Sequence, residues 1–158
     1  MKKTQMILMM VFLLTGCPED NDDSCSTENS YIYESTDRYG LTLYPSENMY
    51  VSFEQITTFY EQTMTCMGMT ADGPDVYFKS FSANYIGGAW AFYHASGVIW
   101  INTDENDSNH QRSCETDRQA LQHEFIHHIL TSNGMLEESR AHASPLFSRC
   151  GVGVNVDL

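Results

Sequence analysis

Apolar side chains recur at helical spacing in two stretches of the chain and at strand-like spacing in five others. In the first helical stretch, Phe53, Ile56, Phe59, Tyr60, Met64 and Met67 share one face. Ser52-Phe53-Glu54-Gln55 has a hydroxyl at the N-cap and an amide three residues later, as a capping box requires, and Gly68 ends the pattern. This predicts a helix over 52–67, with the methionines filling core. The second stretch runs from about Thr116 to Thr131, where Thr116-Asp117-Arg118-Gln119 makes another capping box and Asn133-Gly134 a stop. Its apolar residues, Ala120, Leu121, Phe125, Ile126, Ile129 and Leu130, point in nearly every direction, so this helix is expected to be buried.

The strand candidates are Tyr31-Ile32-Tyr33, Leu41 to Tyr44, Asp75 to Phe81, Ala89 to His94 and Val98 to Asn102. Arg38-Tyr39-Gly40 forms a turn between the first two, and Ala95-Ser96-Gly97 closes a hairpin between the last two. The polar segment 103–112 lacks the regular oxygen ligands and the glycine of a calcium loop, so a solvated loop is expected. Together these elements predict an α+β domain over 31–158, a mostly antiparallel sheet packed on a central helix and one further helix.

The first 16 residues stand apart. Lys2 and Lys3 precede a nine-residue apolar run, Met6 to Leu14. That is shorter than the roughly 20 residues needed to cross a bilayer, and it suits an export signal. Leu14-Thr15-Gly16-Cys17 resembles a bacterial lipobox, which implies a lipid on Cys17 and a place in the cell envelope facing the periplasm or the exterior. Residues 18–30 carry Glu19, Asp20, Asp22, Asp23 and Glu28 with few apolar neighbours, and read as an acidic tether between that anchor and the domain.

The chain is strongly acidic, with a formal net charge of −13. It has no Lys/Arg cluster, so a phosphate backbone is repelled and nucleic acid is excluded as an expected partner. Setting Cys17 aside, Cys25, Cys66, Cys114 and Cys150 remain, an even number that suggests two disulfides in an exported domain. Because Cys114 and Cys150 bracket the second helix and its tail, the expected pairs are Cys114 with Cys150 and Cys25 with Cys66.

The chemical content concentrates in Gln122-His123-Glu124-Phe125-Ile126-His127-His128. His123 and His127 lie about 40° apart around a helix, so two imidazoles face one point. Polar side chains of this kind inside a buried helix are costly unless something binds them, and Zn²⁺ does. Glu124, about 100° round from His123, is placed to take a proton from an activated water. A catalytic zinc needs a third protein ligand, for which Glu137, Glu138 and His142 are available. The motif His-x-x-Gly-x-x-His is absent, the sixth position after His127 being Asn133, which excludes a metzincin.

His123-Glu124-x-x-His127, fourteen intervening residues, His142 and a Phe shortly after resemble the SprT-like and Wss1-like minimal zincins. The resemblance covers about residues 120–150 and departs from the family in the spacing of Phe147, five residues after His142. It implies a small zincin-like metallopeptidase domain in which His123, His127 and His142 bind zinc and Glu124 is the base, with Glu138 the reserve ligand. Tyr93, His94 and Arg140 are candidate donors to the oxyanion, and a peptide or protein is the expected substrate. The competing reading is a non-catalytic envelope lipoprotein, a binding module whose zinc is structural or vestigial.

Overall fold

A computed structural model describes residues 35–36, 38–46, 48–81, 90–104 and 112–151. The export signal, Cys17, the acidic tether with Cys25 and the strand expected at Tyr31-Ile32-Tyr33 lie outside the described residues. The chain order is β1 (Ser35–Thr36), β2 (Thr42–Tyr44), α1 (Phe53–Met67), β3 (Asp75–Lys79), β4 (Ala91–His94), β5 (Val98–Asn102), α2 (Cys114–Ser132), α3 (Leu136–Arg140) and α4 (Leu146–Cys150).

The five strands form one sheet in the order β1-β2-β3-β5-β4. The expected antiparallel bias is corrected here: β1 with β2 and β4 with β5 run antiparallel, but β2 with β3 and β3 with β5 run parallel. The reason is the connection. α1 lies between β2 and β3, and a helical crossover returns the chain in the same direction, whereas a tight turn reverses it.

Strand alternation gives the sheet two unlike faces. Leu43, Val76 and Ile99 are register partners across β2, β3 and β5, and with Phe78 and Ile101 they are buried. On the opposite face Tyr44, Tyr77, Trp100 and Phe92 form a row of stacked rings, with centroids 4.0, 4.7 and 6.2 Å apart. Such cross-strand aromatic pairs stabilise a sheet by roughly 0.2–1 kcal/mol each. The helices cover the first face. Tyr60 of α1 meets Phe125 of α2 edge to face, both rings being fully buried. The Tyr60 hydroxyl donates to the carbonyls of Ala71 and Asp72, which satisfies its polar end inside the core.

α1 starts and stops as its sequence predicts, with a complete capping box between Ser52 and Gln55 and Gly68 at φ 65° after its last turn. α2 begins earlier than expected. Ser113 is its N-cap and Thr116 sits at N3, where the two hydroxyls cap each other's backbone N–H groups. Asp117 is therefore inside the first turns, fully buried, and paired with Arg112 at 2.7 Å. Arg112 also donates to the Asn48 carbonyl and lies over the Tyr50 ring, which ties the chain before α1 to the start of α2.

The disulfide pairing differs from expectation as well. Cys66, at the end of α1, is bonded to Cys150, at the end of α4, with Cα atoms 5.7 Å apart. Cys114 is also disulfide-bonded, but not to Cys150. The helical ends of residues 66 and 150 meet because α4 folds back across both α1 and α2, a contact that no local pattern announces. Disulfides of this kind form in an oxidising, extracytoplasmic compartment. Among the described residues, no helix is long and apolar enough to cross a membrane.

Candidate metal centre

α2 is buried as expected, with Leu121, Phe125, Ile126, Ile129 and Leu130 at 0% exposure. One stripe of it is polar. His123 and His127 project from that stripe, one turn apart, and their Nε2 atoms lie 3.2 Å from each other. The third imidazole comes from beyond the helix: His142 Nε2 is 3.2 Å from His123 Nε2 and 3.0 Å from His127 Nε2. These three side chains form a group that can hold one metal ion. The donor set fits: in a tetrahedral site with bonds of about 2.0–2.1 Å, ligand nitrogens stand about 3.3 Å apart. When all three are unprotonated, nitrogens this close repel one another, and a shared cation turns that repulsion into coordination.

The approach of His142 depends on two reversals of the chain. Asn133 donates from its side chain to the Ile129 carbonyl at the end of α2, and Gly134 turns at φ 79°. α3 then runs back to Arg140, and just past its C-cap Ala141 comes His142, whose φ of 49° makes it the single non-glycine with positive φ among the described residues. Its N–H donates to the Ser139 carbonyl, and the Ala143 N–H to the Glu138 carbonyl, closing the last turn of α3. Glycine usually takes the left-handed place after a helix, because a β-carbon there costs about 1–2 kcal/mol. An imidazole thus stands at a position that backbone energetics would give to glycine.

Two further residues hold the triad. Ser139 is 2% exposed, and its Oγ lies 3.0 Å from His127 Nδ1. The Phe147 ring of α4 stands against all three imidazoles, with centroids 5.2, 4.7 and 4.9 Å from those of His123, His127 and His142. Ile126 faces α4, since a β-carbon on Gly151 would come within 3.4 Å of its Cδ1. Around α2, Ile126 and Glu124 lie on opposite sides of the histidine stripe. Phe147 thus backs the triad on the side away from Glu124.

Glu124 is 5% exposed, and the backbone N–H of Tyr93 on β4 donates to its carboxyl. Burial, only partly offset by that hydrogen bond, pushes the carboxyl up to about 8. Burial and, second, the adjacent His142 hold His123 down at about 4. Burial first, then His123 and His142, take His127 down to about 3, against a hydrogen bond to the Ser139 backbone. Low values keep His123 and His127 neutral, the form in which an imidazole nitrogen can bind a metal.

His128, the neighbour of His127, serves the core instead. Its Nε2 donates to the Asp72 carbonyl at 2.7 Å, the same carbonyl that Tyr60 uses, and burial lowers its pKa. The reserve ligand Glu138 is exposed and stands outside the metal-holding group, which contains no carboxylate among the described residues. The three oxyanion candidates separate. Tyr93 shares the helix-facing side of β4 with Ala91, and its ring lies parallel to that of His127, with centroids 6.3 Å apart. Its hydroxyl is hydrogen-bonded to Thr131 and the Gly97 backbone, so it is engaged one helical turn beyond the triad. His94 alternates to the other face of the sheet, where its Nδ1 contacts Ser96, and cannot reach the site. Arg140 is exposed and lies 3.7 Å from Glu137. Ser139 carried no signal in the sequence, whereas Phe147 was visible only as an aromatic following His142.

No protein-family model matches the chain, and neither a curated protein nor a solved structure is significantly similar to it.

Proposed function

We propose that this protein is a zinc-dependent metallopeptidase of the zincin type, held at a bacterial envelope membrane by a lipid on Cys17. The observation that carries the reading is the convergence of three imidazole Nε2 atoms at 3.0–3.2 Å beside a helix that also bears a buried glutamate. His123, His127 and His142 are the zinc ligands and Glu124 is the general base. Zinc held there supplies Lewis acidity, polarising a scissile carbonyl and lowering the pKa of water toward about 7.

The chain's own groups supply the rest. Glu124 is kept neutral by burial, and a nearby positive charge returns it to its ionised form. In that form it takes the proton of the attacking water and passes it to the leaving amine. Among the described residues β4 is the terminal strand of the sheet, and it brings Tyr93 beside both Glu124 and His127. An extended peptide can add to the outer edge of β4 and lay a scissile bond along the triad. Replacing Glu124 with Gln tests the reading. Peptide hydrolysis should be abolished while zinc remains bound, and undiminished hydrolysis would contradict the role of Glu124.

A second reading, a binding module with a structural zinc, is favoured by the Phe147 ring that covers one side of all three imidazoles. It differs in its fourth position. A structural site is closed to added anions, whereas a catalytic one exchanges solvent for azide, with a change in the Co²⁺ absorption spectrum.

A further inference from the structure

We propose that Ser139 is a positioning residue for the metal centre: its hydroxyl fixes the proton of His127 on Nδ1, and its carbonyl fixes the turn that delivers His142. The inference rests on the reading of the triad as a metal site.

Ser139 Oγ lies 3.0 Å from His127 Nδ1 and 3.3 Å from the His127 carbonyl. A carbonyl can only accept, so the single hydroxyl proton of Ser139 goes to it. The oxygen is then an acceptor toward Nδ1, and His127 carries its proton there. Thr131 donates to the same Oγ at 3.4 Å, and the Tyr93 hydroxyl is in turn bonded to Thr131. One set of directions satisfies every member: Tyr93 to Thr131, Thr131 to Ser139, Ser139 to the carbonyl, and His127 to Ser139. Its consequence is a lone pair on His127 Nε2, the atom that points at the other two imidazoles.

The main chain of Ser139 reaches the third ligand. Its carbonyl accepts from the His142 N–H at 3.2 Å, inside the left-handed turn described above. Ser139 is thus in contact with two members of the triad while contributing no ligand atom. It is also almost wholly buried, and a buried hydroxyl with all its partners in place keeps a single orientation. The relay further connects the triad to β4, the strand beside which a substrate would lie.

The test compares the full-length protein with Ser139→Ala and Ser139→Thr. Zinc affinity is measured by competition with a chromophoric chelator, and the His127 tautomer in the metal-free protein by imidazole ¹⁵N chemical shifts. The alanine variant should bind zinc roughly tenfold to a hundredfold more weakly, the usual effect of losing a hydrogen bond to a ligand histidine. It should also lose the pure Nδ1–H signature, while circular dichroism stays that of the wild type. The threonine variant, which keeps the hydroxyl, should recover most of the affinity and the tautomer. Unchanged affinity and tautomer in the alanine variant overturn the role of Ser139 and leave the metal centre standing. A wild type that binds no zinc overturns both, and a His127 protonated on Nε2 in the metal-free wild type overturns the positioning role by itself.

Discussion

His127 and His142 are fifteen residues apart in the chain, yet their Nε2 atoms stand 3.0 Å from each other. His127 reaches this point from the middle of a long buried helix, and His142 from a left-handed turn at the end of a five-residue one. Nothing in either local structure requires the meeting. The turn at His142 even opposes it, since a β-carbon at positive φ is disfavoured.

That opposition can be measured. His142→Asn keeps a residue that adopts the left-handed conformation readily but removes the imidazole. The metal-free variant should therefore unfold within about 0.5 kcal/mol of the metal-free wild type in a denaturant titration. Its zinc affinity should fall by orders of magnitude. A large loss of stability without metal would show that residue 142 is there for packing.

The buried Glu124 gives a prediction in pH. Its pKa is about 8 in the folded chain against an ordinary 4.5. Between these values the folded state holds a proton that the unfolded state has released, so raising the pH destabilises the metal-free fold. Gln at this position does not titrate. The stability of the metal-free Glu124→Gln variant relative to wild type should accordingly grow from about pH 4.5 to about pH 8 and then level off. His123 and His127, with lowered values, act in the opposite sense as the pH falls below their ordinary 6.5, and they cancel in this comparison because both proteins carry them. A constant difference across the range would mean that Glu124 is already ionised without metal.

Arg112 and Asp117 form a buried pair at 2.7 Å, with side-chain exposures of 4% and 0%. Arg112→Ala leaves a carboxyl inside the protein without its counter-charge, which should cost about 3–5 kcal/mol in urea unfolding. The double change Arg112→Met with Asp117→Leu should cost much less, because neither charge is then left unpaired. Equal losses in the two would place the effect in packing.

Cys66 and Cys150 are separated by 84 positions in sequence, and their bond joins the ends of α1 and α4. Replacing both with serine should destabilise the fold by roughly 2–5 kcal/mol, because the unfolded chain regains the freedom of a long loop. Peptide mapping without reduction should recover Cys66 linked to Cys150. A recovered Cys114 to Cys150 linkage would contradict the structure.

Much of the candidate metal centre was legible because its signals are local. His123, Glu124 and His127 are set by helix periodicity, and His142 by its place after them in a resemblance that carries a ligand spacing. The apolar faces of α1 and α2 were legible for the same reason, as was the capping box at Ser52. The start of α2 is not legible because Ser113 and Thr116 cap each other through hydroxyls, without the Glu or Gln that usually marks such a box. Ser139 was hidden, since one serine among many says nothing until α3 folds back on α2. The cysteine pairing and the sheet's direction depend on which distant segments meet. Even so, the helix lying between the second and third strand patterns held the hint of a parallel pair.

The proposed function requires one cation shared by His123, His127 and His142, and zinc-edge X-ray absorption on the purified protein reads that environment directly. The predicted result is one zinc per chain with three imidazole nitrogens at about 2.0 Å and one further light-atom ligand, lost in His142→Asn. Absence of stoichiometric zinc, or a wild-type spectrum that His142→Asn leaves unchanged, would contradict it.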